Sequence, residues 1–311
     1  LAGLVTLAFW QAARSHGLAA GGALGLALLI RAPMALYVLP LAWLVWRGAA
    51  QERRHLLAFG VPILLGVGGL LLHNALRSGN PWTSGYADQG FETPPWVGIS
   101  GLLLAPGRSV FLFAPPLVLA VWLWRPFWRR WPALAEAIGL AWGLALLVYG
   151  SWWAWHGGWA WGPRFLVPLL PVSLLPLGLV WEQPRMLWRV GLAGAVLVGA
   201  LVNGLGTWTD VNRTYSRYAE QRVHWNWSTS QIPGALEALQ AGKAVPLRME
   251  RLGRIGWTES GKLAWPGILL GGLLSSLVGI IRKAAISHGR EQTFFLRRPG
   301  RHRRRDDARG A

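Results

Sequence analysis

The residues best suited to chemistry lie in one short stretch, WWAWHGGWAWGPRF, at positions 152–165. Five tryptophans surround His156 and a Gly-Gly pair, and the stretch closes on Arg164 before another apolar run. Tryptophan faces on a folded backbone suit the C–H groups of a sugar, which makes His156, Trp159 and Trp161 candidate sugar contacts. The competing interpretation is an aromatic belt, because tryptophan rings also favour the headgroup level of a bilayer.

Two arginines precede apolar runs and could bind an anionic group. Arg164 follows Pro163, and Arg108 follows the Pro-Gly pair of APGRS at 105–109. A helix N-terminus carries partial positive charge, so an arginine there completes a site for an anion such as a lipid phosphate. Arg164 and Arg108 are therefore candidate ligands of a lipid phosphate. The alternative is a cation that snorkels to the bilayer surface.

Few carboxylates accompany these residues. Asp88 and Glu92 lie in one polar loop and Asp210 follows an apolar run, and all three have the pattern of solvated loop residues. Asp88 is the best placed of the three, and with Tyr86 it is a candidate sugar contact, because GYADQGF is short and anchored between apolar runs. His156 has no carboxylate or second histidine at ligand spacing, so no metal site is predicted. A divalent metal remains possible, and the catalytic base is unassigned.

The composition is that of a membrane protein. The 311 residues are 53% hydrophobic and 14% charged, whereas soluble domains contain about 25% charged residues. Many apolar runs approach or exceed the roughly 17 to 20 residues that cross a hydrocarbon core. The net charge of +18 lies on segments between these runs, which argues against a nucleic-acid-binding face. The chain begins within an apolar run, and we expect further residues before Leu1.

The predicted fold class is all-α, a polytopic bundle of about eight or nine transmembrane helices. The run 18–46 is interrupted by IRAP and forms either one kinked helix or two short ones, and APGR breaks the run 97–124. A short helix is predicted after Pro233. The predicted domains are a transmembrane core at 1–206 with polar loops 77–96 and 152–164, an outer segment at 207–263, a last transmembrane helix at 264–281 and a basic tail at 282–311.

Positive charge on short loops predicts the orientation. The arginine-rich loops 47–55, 125–131 and 182–189 are predicted to be cytoplasmic, together with the tail, which could contact anionic lipid headgroups. The other polar loops then share the outer face. This topology predicts a multi-pass protein of the inner (plasma) membrane. The outer segment 207–263 either covers an entrance for an acceptor or connects two helices.

Several motifs occur in an order that resembles a known family. They are GLALLIRAP at 25–33, GNPWTSGY at 79–86, GLLLAPGRSVFLFAPPLVLAV at 101–121 and WHGGWAWGPRFLVPLLP at 155–171. Together they resemble the C-terminal half of bacterial GT-C glycosyltransferases, which are related to protein O-mannosyltransferases and aminoarabinose transferases. The resemblance covers most of residues 18–182.

The resemblance implies an enzyme that transfers a sugar from a polyprenyl-phosphate-linked donor to a lipid, glycan or protein at the outer face. It also implies a catalytic carboxylate in the first external loop, upstream of residue 1. Two other classes stay open, namely a transporter or flippase for a lipid-linked sugar and a non-catalytic membrane subunit. The acceptor and the sugar are not predicted.

Overall fold

The computed structural model describes residues 1–48, 53–83, 89–209 and 220–242, with only the backbone described for 220–222. All of these residues belong to one unit, Leu1–Leu247. The regular structure within the described ranges is entirely helical, which confirms the all-α prediction. The predicted last transmembrane helix at 264–281 and the basic tail at 282–311 lie outside the described residues.

Within the described part of the chain, three helices are long and apolar enough to cross a membrane, namely α4 (Arg53–Ser78), α9 (Pro132–Ser151) and α11 (Met186–Trp208). At 1.5 Å per residue, twenty residues span the roughly 30 Å of a hydrocarbon core. Along α4, leucines such as Leu64, Leu65 and Leu76 are at least 70% exposed. Hydrocarbon lipid is a suitable surrounding for such a surface, and these helices indicate a membrane protein.

The remaining helices are shorter. They are α1 (Ala2–Ala13), α2 (Gly17–Ile30), α3 (Val38–Gly48), α5 (Pro95–Leu104), α6 (Val110–Phe113), α7 (Pro116–Trp122), α8 (Trp124–Arg130), α10 (Leu170–Ser173), α12 (Glu220–Trp225) and α13 (Gln231–Gln240). Tight 3₁₀ turns occupy Ala32–Tyr37, Val167–Leu169, Leu175–Glu182 and Trp227–Thr229. The predicted helix after Pro233 is present as α13, which begins two residues before that proline.

The apolar run 18–46 forms two helices rather than one. Helix α2 ends at Ile30, Arg31 is extended with φ −158° and ψ 115°, and a 3₁₀ turn containing Pro33 leads into α3. Proline lacks the N–H that would continue an α-helical hydrogen-bond ladder, which accounts for the break. Arg31 is consequently placed at a helix end.

Glycines allow α2 to pack closely against α4. Gly17, Gly21 and Gly25 are spaced by four, so they share one face of α2. A Cβ atom at Gly21 would overlap the backbone carbonyl of Phe59, and a Cβ atom at Gly66 of α4 would overlap the backbone of Gly25. Small residues at this spacing let two helix backbones approach within a membrane.

The described segments meet at two ends of the bundle. At the arginine end, Arg130 pairs with Glu182 at 2.6 Å, and Arg47 lies 3.6 Å from Glu136 near the start of α9. At the tryptophan end, which comprises residues 152–164 and their neighbours, Thr93 and Trp153 donate backbone N–H groups to Ser151 and Gly90. The loops predicted to share a face are thus adjacent.

Helix α5 is not the start of a membrane-spanning segment. The residues before it contact the end of α9, and Gly107, just after it, donates its N–H to the carbonyl of His224 at 3.0 Å. Gly101, within α5, packs against the ring of Trp155. Both ends of this ten-residue helix therefore lie at the tryptophan end, and the chain leaves that end only after the APGR break.

Candidate functional site

The loop 152–164 follows α9 and has an irregular path. Gly157, Gly158 and Gly162 adopt positive φ values of 79°, 64° and 63°. Glycine reaches this left-handed region without the steric cost that other residues incur. The glycines between the tryptophans are therefore required for the path of the loop, as the Gly-Gly pair in the sequence suggested.

Arg108 lies beneath this loop and is fully buried, with 0% of its surface exposed. Its guanidinium donates to the carbonyl oxygens of Gly158, Ala160 and Gly162 at 2.5 to 2.7 Å. Its Nε donates to Nδ1 of His224 at 3.3 Å. A planar fork of donors suits several acceptors at once, and here those acceptors are protein atoms.

Gln231, at the start of α13, holds the same stretch of backbone. Its side chain is also fully buried. The amide nitrogen donates to the carbonyl of Ala160 at 2.7 Å, and the amide oxygen accepts the N–H of Gly162 at 3.0 Å. The outer segment is thus joined to the loop by side-chain hydrogen bonds.

Two histidines complete this buried cluster. The rings of His156 and His224 stack with centroids 4.5 Å apart, and His156 Nδ1 accepts the N–H of Gly158 at 3.0 Å. Burial, followed by the positive charges of Arg108 and Arg164, lowers the pKa of His156 to about 4. Burial, Arg108 and His156 lower the pKa of His224 to about 2. Both rings are therefore neutral at neutral pH.

A cavity of about 670 Å³ opens beside the loop. Arg31 and Arg164 both line it, and Arg164 is exposed, with its guanidinium 5.1 Å from the ring centre of Phe165. The rest of the wall is mainly apolar and aromatic, formed by Pro33, Ala35, Leu36, Leu39, Gln89, Phe91, Leu144, Val148, Tyr149, Trp152, Trp153, Ala154, Gly158 and Phe165. An apolar chamber with two cations suits an amphipathic anion.

The structure separates the two arginines that the sequence had grouped. Arg164 lines the cavity, whereas Arg108 lies inside the loop, bound to its carbonyl oxygens. The cation that shares the cavity with Arg164 is Arg31. The IRAP break was the sequence signal for it, since it places an arginine at a helix end, but the partner loop is more than a hundred residues away.

The predicted sugar contacts are also separated. His156 is buried against His224, and the ring of Trp161 packs edge-on against Phe113 at 5.5 Å and covers Gly206. Trp159 is 61% exposed. Tyr86 and Asp88 lie outside the described residues.

The aromatic side chains that line the cavity are instead Phe91, Trp152, Trp153, Tyr149 and Phe165. Phe91 and Trp152 meet edge to face at 5.3 Å. The sequence suggested an aromatic belt as the competing interpretation of the tryptophans in this stretch, and neither Trp152 nor Trp153 was a candidate sugar contact. Their position in the cavity wall depends on the return of the loop 89–94 across the end of α9, which apolar patterning does not reveal.

Among the described residues, no carboxylate lines the cavity, and no group of three His, Asp or Glu side chains could hold a metal ion. Glu136 accepts a hydrogen bond from Trp43 at 3.1 Å, and Glu182 is paired with Arg130. Both of these carboxylates belong to the arginine end.

Comparison with known proteins gives little further information. No family model and no solved structure matches the chain. A stretch of 79 residues is 29% identical to a lipoprotein signal peptidase of Shewanella woodyi, covering 25% of this chain and 40% of that protein. The chain therefore spans less than half the length of this curated relative.

Proposed function

We propose that the protein is a membrane glycosyltransferase of the GT-C type, and that its cavity binds a polyprenyl-phosphate-linked sugar donor. The observation that carries the proposal is the apolar cavity of about 670 Å³ that is lined by two arginines, Arg31 and Arg164, from separate segments. The reaction is proposed from the motif resemblance, and the donor site is proposed from the cavity.

The chemistry of the lining supports a lipid phosphate. Arginine forms strong charge-assisted bonds with phosphate oxygens and retains its charge at all physiological pH values. Each methylene group of a prenyl chain that is removed from water contributes about 0.8 kcal/mol. A ligand with an apolar tail and one phosphate group therefore uses both features of the wall. A cation next to the phosphate would also stabilise it as the leaving group of glycosyl transfer.

The proposed membrane topology contains more membrane-spanning segments than the three long helices. In the proposed topology, the shorter helices α1, α2 and α3 and the segments 109–130 and 165–182 also cross the membrane, which would give a bundle of about eight or nine spans. The arginine end is proposed to be cytoplasmic in the bacterial inner membrane, together with the basic tail. The resemblance places the catalytic base in an external loop upstream of the matched region.

A binding experiment tests the assignment of the cavity. We expect Arg164→Ala and Arg31→Ala each to weaken binding of a polyprenyl monophosphate in detergent micelles about tenfold or more, because each removes a charged hydrogen-bond donor. Arg129→Ala is the matched control, since Arg129 is exposed at the end of α8. Binding is measured by titration of the purified chain.

Two outcomes contradict the proposal. If Arg129→Ala weakens binding equally, the effect results from the change in net charge and not from the cavity. If the unaltered chain does not bind the polyprenyl monophosphate, the proposed donor site is wrong.

An assay in reconstituted vesicles tests whether the protein is a flippase instead. A flippase would move a labelled lipid-linked sugar between the two leaflets, whereas a transferase leaves that distribution unchanged.

A further inference from the structure

We propose that Arg108 and Gln231 are positioning residues that hold the loop 156–164 in the conformation in which Arg164 lines the cavity. This inference rests on the proposed function, because it concerns the site that would bind the lipid phosphate. It also reassigns Arg108, which acts on the ligand through the loop and does not contact it.

The buried side chains of Arg108 and Gln231 and the loop carbonyl groups that they contact form one cluster, called the hub below. The carbonyl oxygens of Gly158, Ala160 and Gly162, at alternate positions of the loop, all accept bonds from the guanidinium of Arg108. Gln231 accepts from and donates to two of these residues. Both side chains are fully buried, so they are removed from ligand and solvent alike.

The loop depends on these donors because it has no regular hydrogen-bond ladder of its own. Three carbonyl oxygens converge on one buried point, where they require a donor with several N–H groups. Lysine carries its charge on one nitrogen and lacks the fork geometry, so it is a poor replacement for arginine at this position.

The hub is coupled to the cavity through the backbone. Gly158 both lines the cavity and bonds to Arg108. The side chain of Arg164 packs against Gly157, where an added Cβ would lie 3.0 Å from its Cγ atom. A change in the loop between residues 157 and 162 would therefore move the arginine that is proposed to bind phosphate.

The hub also gives the outer segment a role. Residues 220–242 contribute Gln231 and His224, and the backbone carbonyl of His224 accepts the N–H of Gly107, next to Arg108. The sequence left this segment as either a cover for an acceptor or a connector. Its described part contacts the loop, because Gln231 bonds to Ala160 and Gly162.

A double-mutant cycle tests the inference with a polyprenyl monophosphate in detergent micelles as the probe and the full chain as the protein. We expect Arg108→Lys and Gln231→Leu each to weaken binding about five- to tenfold, and to have less than about a twofold effect when Arg164→Ala is already present. The matched controls Arg129→Lys and Gln240→Leu alter exposed residues of the same types. If the loss of affinity in each double variant equals the product of the losses in its two single variants, Arg108 and Gln231 do not act through Arg164, and the positioning role is overturned.

Hydrogen exchange provides the second measurement. Amides of residues 156–164 should exchange faster in Gln231→Leu, while those in the middle of α9 remain protected, and unchanged exchange in the loop would overturn the inference. If Arg108→Lys does not fold, Gln231→Leu carries both tests. If the unaltered chain does not bind the probe, the proposed function fails, and the exchange measurement still decides whether the hub holds the loop.

Discussion

Arg108 and Arg164 show how burial decides what an arginine does. Each follows a proline-containing turn and precedes an apolar segment. Arg108 is surrounded by backbone carbonyl oxygens that use its donors, whereas Arg164 is exposed at the wall of a cavity. A guanidinium whose donors are occupied by protein oxygens has little capacity for a phosphate. The accessible cation is therefore the one that can bind a ligand.

The buried pair of His156 and His224 predicts that the stability of the folded chain depends on pH. His156 has a pKa of about 4 in the folded chain and an ordinary value of 6.5, so the unfolded chain binds more protons between these two values. The stabilisation from neutral His156 is complete above pH 6.5 and is lost progressively as pH falls towards 4. Protonation would place a hydrogen on Nδ1, which accepts the N–H of Gly158.

Thermal unfolding in detergent between pH 7 and pH 4 measures this effect. The groups that shift the pKa of His156 are Arg108 and Arg164, and His224 is stacked on its ring and titrates with the same sign. His156→Gln keeps an acceptor for Gly158 but has no titratable ring. We expect this variant to retain about half of the pH slope, from His224 alone. An unchanged slope in His156→Gln would exclude His156 as the titrating group.

At the scale of elements, local signals in the sequence located the helix breaks. Proline and glycine at IRAP and APGR end helices because they interrupt backbone hydrogen bonding, and the Gly-Gly pair marks the irregular loop. Long apolar runs gave the three long helices. These features depend on residues within a few positions of one another.

The arrangement around the site depends on contacts between distant residues and was not predicted. Arg108 meets Gly158 and His224, which are 50 and 116 residues away in the chain. Apolar periodicity does not specify whether such an arginine faces a ligand or a carbonyl oxygen. For the same reason, the pairing of Arg31 with Arg164 at one cavity was not evident in the sequence.

The packing of α2 on α4 gives a prediction about these elements. Gly21→Ala places a Cβ against the backbone of Phe59, so the two helices must separate. We expect a loss of about 1 to 3 kcal/mol in stability, as overpacked positions typically show. Gly22→Ala is the matched control, because no atom lies within 4 Å of a Cβ at that position.

Unfolding midpoints in detergent compare these two variants. Both substitutions replace glycine by alanine in the middle of α2, so the change in helix propensity is the same. A difference between them therefore reports the contact with α4. Equal midpoints would show that the two helices are not closely packed.

Across the described part of the molecule, arginines are concentrated at one end, whereas tryptophans occur at both, since Trp43, Trp131 and Trp181 contact arginines of the arginine end. The arginine end carries Arg47, Arg53, Arg54, Arg125, Arg129, Arg130, Arg185 and Arg189. The opposite end carries the tryptophan-rich loop and the cavity. Because cytoplasmic loops retain arginine and lysine, this concentration of arginine supports the proposal that the cavity faces the outer side of the membrane.

Cysteine labelling tests this orientation directly. The chain contains no cysteine, so single substitutions can be introduced without removing native thiols. Ser228, between α12 and α13, and Arg129, at the arginine end, are both exposed. In intact bacterial spheroplasts, we expect a membrane-impermeant maleimide to label Ser228→Cys, and to label Arg129→Cys only after the membrane is permeabilised. The opposite pattern would place the cavity at the cytoplasmic face, where an enzyme acting at the outer surface could not use it.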